Sequence, residues 1–311
     1  MRKRFKTKKN FKLKNLIYLL IILIVAIILN LFSNIKFDSN TNIVENTLNL
    51  VGFKRLNILS NLSDFINKNI FNSPDKILKS QILYDKKDSN HKEDIEQVNF
   101  SYNQNKLPKV YLYNTHQGET YSKEYLENSN INPTILMATL MFKDKLENIN
   151  INTLVEESNI LEYMKKNNYN HAKSYIASRY FLSNTINKYN SIQLYIDVHR
   201  DAALKNVTTT NINNKACARI LFVVGLENSN YKKNLDTTNK INNMIKSKYP
   251  TLTRGIMKKE GYGVNGVYNQ DLNDNIILLE LGGNNNNIDE VSNTLDLIVP
   301  IIGEYLNEKK E

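Results

Sequence analysis

From residue 106 onward, short β-favouring runs alternate with longer stretches of helical spacing, and this alternation limits the folds that the chain can adopt. Four runs have the apolar, aromatic and β-branched composition of strands: residues 110–113, 192–198, 219–224 and 276–281. Four stretches carry apolar side chains at helical spacing: residues 134–149, 169–189, 231–249 and 288–306. Strands and helices in alternation predict an α/β fold, with a mostly parallel twisted sheet and helices on both of its faces.

Polar, chemistry-bearing side chains stand at the ends of three predicted strands. The first strand lies in the sequence KVYLYNTHQGETY, where His116 and Glu119 are three residues apart. His199 follows the second strand, and Glu280 stands near the end of the last one. Because the carboxyl ends of parallel strands meet at the edge where α/β proteins bind ligands, we expect these four side chains to converge.

These residue types predict a metal site. Two histidines and one carboxylate, here His116, His199 and Glu119, are a common zinc ligand set that leaves a fourth position for water. Zinc lowers the pKa of such a water to about 7, and a further carboxylate must then carry its proton. Glu280 lies in the apolar run IILLELGG, where a charge is costly unless a cation is near. Taken singly, each of the four is more often a hydrogen-bonded residue at a strand end than a metal ligand, but all four at strand ends, in a chain with four histidines, favour a metal site.

The other histidines and the single cysteine are expected outside this site. His91 lies in a charged segment and is predicted to face solvent, and His171 is predicted to be a cap or surface residue at a helix start. Cys217 lies in an apolar run, so we expect a buried small hydrophobe rather than a reactive thiol. With one cysteine, no intrachain disulfide can form.

The N-terminal part of the chain has the pattern of a membrane anchor. Residues 1–14 contain eight basic and no acidic residues, so they account for most of the formal net charge of +10. The uncharged apolar run at residues 16–32 is close to the roughly 20 residues that span a bilayer. A cleaved signal peptide is the alternative, but the run exceeds the usual h-region and no small-residue cleavage site follows.

The positive-inside rule then orders the segments of the chain. Residues 1–15 are predicted to be a cytoplasmic tail, and residues 16–33 a transmembrane helix. Residues 34–105 are predicted to form short membrane-proximal helices and a linker, and residues 106–311 an α/β domain outside the cytoplasm. Because the basic residues serve topology, nucleic acid is not expected as a partner.

Four stretches resemble the stage II sporulation protein P family, membrane-anchored cell-wall hydrolases of endospore-forming bacteria. The matching sequences are YLYNTHQGETY, LYIDVHRDA, ARILFVVG and GVYNQDLNDNIILLELGGNNNNIDEV. Their order and spacing agree from about residue 107 to the C-terminus, and so does the single N-terminal anchor. Residues 34–105 contribute nothing to the resemblance.

The resemblance implies a catalytic domain similar to zinc N-acetylmuramoyl-L-alanine amidases, with a fold related to zinc carboxypeptidases. Carried over to this chain, His116, Glu119 and His199 would hold zinc and Glu280 would be the general base. Glu119 follows the carboxypeptidase spacing, since the amidases usually place this ligand further from the first histidine. The family cuts the amide between the stem peptide and muramic acid in peptidoglycan, and is associated with a second, endopeptidase cut.

The resemblance also implies partners and further site residues. The family acts with the sporulation proteins D and M during engulfment. Arg200 is a candidate for pairing with a substrate carboxylate, and Asp201 for orienting a ligand imidazole. The same residues would serve equally well as internal braces of loops, as would three others near family motifs: Asn269, Gln270 and Arg179.

Two other functions remain open from the sequence. A zinc peptidase that acts on peptide bonds only would use every predicted residue and differ in its substrate groove. A wall-binding scaffold without catalysis is the alternative from another class of protein. The presence of Glu280 together with all three predicted ligands favours an enzyme.

Overall fold

The computed structural model describes residues 107–124, 126–127 and 131–308. The predicted cytoplasmic tail, transmembrane helix and membrane-proximal segment lie outside these residues, and so does His91. Within the described part of the chain, no helix has the length and apolar character needed to cross a membrane.

The described residues form a six-stranded sheet and a separate antiparallel hairpin. The strands are β1 (Val110–Tyr113), β2 (Thr153–Val155), β3 (Leu194–Asp201), β4 (Thr209–Ile212), β5 (Lys215–Ala218), β6 (Ile220–Gly225), β7 (Thr253–Lys259) and β8 (Ile276–Gly283). The sheet order is β2-β1-β3-β8-β6-β7, and β4 pairs with β5 in the hairpin. Strands β2, β1, β3 and β8 are mutually parallel. Strand β6 runs antiparallel to β8 and parallel to β7. The prediction of a mostly parallel α/β sheet is confirmed.

Six α-helices connect these strands in the described residues. They are α1 (Ile135–Asn148), α2 (Ile160–Lys166), α3 (Ser174–Lys188), α4 (Lys205–Thr208), α5 (Tyr231–Lys248) and α6 (Ile288–Glu308). Thr134 begins α1 as an N-cap, since its hydroxyl accepts a hydrogen bond from the Met137 amide at 3.1 Å. Two single-turn 3₁₀ helices, His171–Lys173 and Gln270–Leu272, precede α3 and β8.

Helices cover both faces of the sheet. Successive residues of β1 point to opposite faces, yet all four are at most 1% exposed. On one face, Tyr111, Tyr113 and Tyr195 pack with Leu182 of α3. α1 also packs against β1, β2 and β3, and α6 packs against α1.

Several elements were not predicted from the sequence. The hairpin turns at Asn213 and Asn214, which both have positive φ (52° and 61°), as a two-residue hairpin loop requires. β7 reads TRGIMKK, in which three of seven residues are charged and Gly255 lies at a register shift with β6, so it lacks the apolar pattern of a strand. Cys217 is 1% exposed in β5, which confirms the prediction of a buried thiol.

Candidate active site

The four residues predicted to converge lie together at one edge of the sheet. β1, β3 and β8 are consecutive parallel strands, so their carboxyl ends share that edge. His116 and Glu119 follow β1, while His199 and Glu280 lie inside β3 and β8 and are direct register partners. The rings of His116 and His199 have centroids 5.1 Å apart and are nearly perpendicular. Glu119 Oε2 lies 3.8 Å from His199 Nδ1.

Hydrogen bonds fix the loop that carries His116 and Glu119. The Glu119 amide donates to the His116 carbonyl at 3.0 Å, which closes a tight turn. The Gln117 side chain accepts from the Ile160 amide at 2.8 Å and donates to the Ser158 carbonyl at 2.9 Å, which ties the turn to the start of α2. The loop therefore presents its two side chains from a braced backbone.

Burial and neighbouring charges shift the protonation of the two histidines in opposite directions. Burial, together with the neighbouring His199, lowers the pKa of His116 to about 4. Burial also opposes a charged His199, but the adjacent carboxylates of Asp197 and Glu119 outweigh it and raise the pKa of His199 well above its ordinary value. His116 is thus held neutral, the state in which an imidazole nitrogen can bind a metal.

The two carboxylates of the site also differ. Burial alone would raise the pKa of Glu119, but contact with His199 and the hydrogen bond from the Arg200 amide, 3.0 Å long, lower it. Burial raises the pKa of Glu280 to about 7, against the opposing charge of His199. Glu119 is therefore the anion of the pair, and Glu280 is poised to exchange a proton near neutral pH.

The donor set fits zinc in its chemistry. Within the described residues, no group of three or more His, Cys, Asp or Glu side chains is already arranged to hold a metal ion. Ligand atoms that share one zinc at about 2.0–2.2 Å lie roughly 3–3.5 Å from each other. The 3.8 Å between His199 Nδ1 and Glu119 Oε2 exceeds that range by a few tenths of an ångström. Glu280 Oε2 is buried without a hydrogen-bond partner among the described residues, as expected for a group that awaits a ligand.

His171 lies at the site, which the sequence did not indicate. Its side chain is exposed, as predicted, but its ring stacks on that of His116 with centroids 4.5 Å apart and 7° between planes. The ring of Tyr175, one turn further along, has its centroid 5.6 Å from that of His116 and 6.4 Å from that of His199. The Tyr268 ring packs edge-on against Tyr175. Nothing distinguishes these tyrosines in sequence from the other sixteen in the chain, so only the fold identifies them.

Arg200 and Asp201 differ in how they meet the prediction. The Arg200 guanidinium donates from Nε to the Thr120 carbonyl at 3.2 Å, at the rim of the site. Asp201, expected to orient an imidazole, instead pairs with Arg254 and caps the amides of the two residues that follow it. A register shift between His199 and Asp201 accompanies this change of direction. The carboxylate beside the His199 ring is Asp197, whose Oδ1 lies 3.0 Å from Nε2.

The remaining three candidates brace the loop that precedes β8. Gln270 is fully buried, and its side chain accepts from the Gly225 amide and donates to the Val223 carbonyl, both at 2.9 Å. Arg179 forms a two-pronged ion pair with Asp271 at 2.6 and 2.7 Å. These contacts match the bracing alternative for Gln270 and Arg179. Asn269 also binds α3, where its side-chain amide donates to Ser178 Oγ and to the Tyr175 carbonyl, both at 3.0 Å.

Comparison with known proteins places the chain in a family. A family model described as stage II sporulation protein P (SpoIIP) matches residues 40–303. Stage II sporulation protein P from Bacillus subtilis (strain 168) is 32% identical over 203 residues, which are 63% of this chain and 50% of that protein. The chain therefore spans about half the length of this curated relative.

Solved structures with a similar chain trace are more distant. The CwlD amidase from Clostridioides difficile, in complex with the GerS lipoprotein, matches with a TM-score of 0.42 and 15% identity, over 64% of this chain and 98% of that one. An N-acetylmuramoyl-L-alanine amidase from Clostridium difficile 630 matches with a TM-score of 0.37 and 18% identity, over 65% of this chain and 98% of that one. Because the family model matches most of its length, this chain belongs to the stage II sporulation protein P family.

Proposed function

We propose that this protein is a zinc-dependent peptidoglycan hydrolase that cleaves the amide bond between N-acetylmuramic acid and L-alanine. The observation that carries the proposal is the meeting of His116, Glu119, His199 and Glu280 at the ends of three consecutive parallel strands. The resemblance to membrane-anchored wall hydrolases of spore formers indicates peptidoglycan as the substrate. The similarity of their catalytic domain to zinc N-acetylmuramoyl-L-alanine amidases indicates amide cleavage as the reaction.

The three donors would hold the metal, and Glu280 would move the proton. His116, Glu119 and His199 supply two imidazole nitrogens and one carboxylate oxygen, a set that suits zinc. When bound there, zinc supplies a Lewis acid that polarises the amide carbonyl and lowers the pKa of water. Glu280, with a pKa of about 7 and a buried oxygen free of hydrogen bonds among the described residues, accepts a proton from the attacking water. It then delivers that proton to the departing nitrogen of the stem peptide.

Side chains around this centre would orient the substrate. The Arg200 guanidinium is half-buried, and among the described residues its acceptor is the Thr120 carbonyl. Its other N–H groups suit a carboxylate of the stem peptide, which a guanidinium binds in a two-pronged geometry. The rings of His171, Tyr175 and Tyr268 form an adjoining wall against which the substrate would lie.

The same proposal covers location and partners. A tail at residues 1–15 would lie in the cytoplasm, residues 16–33 would span the membrane, and residues 106–311 would face the wall as the catalytic domain. The sporulation proteins D and M would be its partners during engulfment. Protease added to protoplasts should then degrade the chain beyond about residue 40 and spare its N-terminus, whereas a protected C-terminal domain would contradict this topology.

Digestion of purified wall sacculi tests the reaction. Full-length protein in mild detergent should release intact stem peptides and leave muramic acid without peptide, as mass spectrometry of the products would show. A Glu280→Gln protein serves as the matched control, because it keeps the size of the side chain. Shortened peptides alone would indicate a peptidase, and binding without release would indicate a wall-binding scaffold.

A further inference from the structure

We propose that Asp197 is a positioning residue that fixes the His199 imidazole with Nδ1 toward Glu119, and that a buried chain of hydrogen bonds from Asn269 holds Asp197 in place. The inference rests on the proposed function, since it concerns how one predicted zinc ligand is aimed. It assigns to Asp197 the orienting role that the sequence suggested for Asp201.

Asp197 lies directly beside the His199 ring. It lies two residues before His199 in β3, so both side chains point to the same face of the sheet. Asp197 is fully buried, and its Oδ1 lies 3.0 Å from His199 Nε2. The contact is an ion pair and not a formed hydrogen bond, since Nε2 has no hydrogen-bond partner among the described residues. Burying a carboxylate is costly unless hydrogen bonds compensate it, so other donors must stabilise Asp197.

Thr115 supplies those donors. Its amide donates to Asp197 Oδ1 at 2.9 Å, and its hydroxyl lies 2.6 Å from Asp197 Oδ2. A carboxylate can only accept, so the hydroxyl proton of Thr115 is directed to Asp197. Thr115 immediately precedes the predicted ligand His116. It therefore connects the backbone at His116 to Asp197, the carboxylate that contacts the predicted ligand His199.

The chain of hydrogen bonds continues away from the site in one direction. Thr115 Oγ1 lies 2.8 Å from Ser178 Oγ in α3, and the Tyr175 carbonyl lies 3.3 Å from the same Ser178 oxygen. With the Thr115 proton engaged by Asp197, Ser178 is the donor in the shorter of these two contacts. The Asn269 side-chain amide donates to Ser178 Oγ at 3.0 Å and to the Tyr175 carbonyl at 3.0 Å. Asn269, Ser178 and Thr115 thus align their donors toward Asp197. Asn269 is 4% exposed and has a left-handed backbone with φ of 55°, so its loop is shaped to reach α3.

The arrangement selects one nitrogen of His199 as the metal ligand. A carboxylate beside Nε2 keeps a proton on that nitrogen, so the proton that a metal would displace is the one on Nδ1. Nδ1 is the nitrogen that faces Glu119, at 3.8 Å. Asn269 then serves the reaction without touching substrate, because it supports the carboxylate that orients a ligand.

Zinc affinity of the full chain in detergent, measured by competition with a chromophoric chelator, tests the inference. Asp197→Asn keeps the size but removes the charge, and should weaken zinc binding by about 10–100-fold, the usual effect of losing such a partner. Thr115→Val removes one donor to Asp197 and should weaken binding in the same direction. Thr115→Ser restores the hydroxyl and should bind zinc as tightly as the wild type does.

Thr139→Val is the matched control. Thr139 is also fully buried, and its hydroxyl accepts from the Asn114 side chain, which also donates to the Val198 carbonyl but not to Asp197. Its loss should leave zinc affinity unchanged. If Thr139→Val weakens zinc binding as much as Thr115→Val does, the effect is one of general packing and the inference fails.

The ring of His199 gives a second readout that a packing defect would not produce. The chain has four histidines, so ¹⁵N labelling of histidine gives few ring signals, and a His199→Gln variant assigns the one of interest. The Nε2 proton signal of His199 should be present in the wild type and shifted or lost in Asp197→Asn. An unchanged signal together with unchanged zinc affinity would overturn the inference. If wild-type protein binds no zinc, the proposed function fails, and the zinc-free ring signal still decides whether Asp197 holds His199.

Discussion

His199 and Glu280 are direct register partners on the parallel strands β3 and β8. Their side chains point to the same face, and the ladder of backbone hydrogen bonds fixes how far apart they lie. A predicted ligand and a predicted base are therefore held by sheet geometry rather than by mobile loops. Glu119 reaches the same place from the loop after β1, where its carboxylate accepts the Arg200 amide.

The roles of the two glutamates can be separated by substitution. Glu280→Gln keeps the shape but removes the base, so zinc should stay bound while amide cleavage falls by about 10²-fold or more. Glu119→Gln replaces an anionic ligand with a weak neutral one, so zinc occupancy itself should fall. Metal content and cleavage of sacculi, measured on both proteins, test each role. Loss of zinc from Glu280→Gln with retention by Glu119→Gln would mean that the roles are reversed.

Removal of either predicted imidazole ligand should abolish both metal binding and activity. His116→Ala and His199→Ala should each lose bound zinc, and chelation of the wild type should stop wall hydrolysis until zinc is restored. His171→Ala is the internal comparison, because this ring stacks on His116 yet is not a predicted ligand. Zinc content near one per chain in His171→Ala, and near zero in the other two, is the expected result. A metal-free His199→Ala protein with full activity would contradict the zinc hypothesis.

The sequence was sufficient to predict that His116, Glu119, His199 and Glu280 lie close together. Apolar strands that end in polar residues can be recognised along the chain, and the carboxyl ends of parallel strands share one edge of the sheet. Asp197 could have been found by the same reasoning as Glu280, since both are ionisable residues inside an apolar strand, where charge is costly without a partner. The orienting role was predicted for Asp201 because it lies two residues after His199. The register shift that turns Asp201 toward Arg254 cannot be recognised in the sequence.

Other features depend on tertiary packing and could not be read from the sequence. The reversed direction of β6 and β7 leaves their apolar patterns unchanged, so nothing in the composition predicts it. The stacking of His171 on His116 depends on where α3 begins relative to the loop after β1. In both cases the contacts join residues far apart in the chain, so the local spacing of apolar residues does not predict them.

Gln270 should prove to be structural, in contrast to the site residues. Gln270→Leu leaves the Gly225 amide and the Val223 carbonyl buried without their partners, so the free energy of unfolding should fall by about 2–4 kcal/mol. Zinc affinity of the folded protein should change little. Urea unfolding followed by tyrosine fluorescence, with chelator competition on the same sample, measures both quantities. A variant of normal stability that fails to bind zinc would place Gln270 in the site instead.

Glu280 should also leave a mark on the pH dependence of stability in the metal-free protein. Its pKa is about 7 in the folded state against an ordinary 4.5, so between these values the folded protein holds a proton that the unfolded chain has released. Stability from this group is therefore full below about pH 4.5 and is lost as pH rises through 7. His116 acts in the opposite sense, because its pKa of about 4 makes stability fall as pH drops below its ordinary 6.5.

Comparison of wild type with Glu280→Gln isolates the first effect, since His116 is common to both proteins. Between pH 4.5 and pH 8, the difference in unfolding free energy should shift in favour of the glutamine variant by up to about 3 kcal/mol. Urea unfolding at several pH values measures that shift, and a difference independent of pH would show that Glu280 is not protonated in the folded state. Repeating the series with zinc adds a second check. A bound cation would stabilise the ionised carboxylate and lower its pKa, so the pH-dependent part of the difference should shrink when zinc is present.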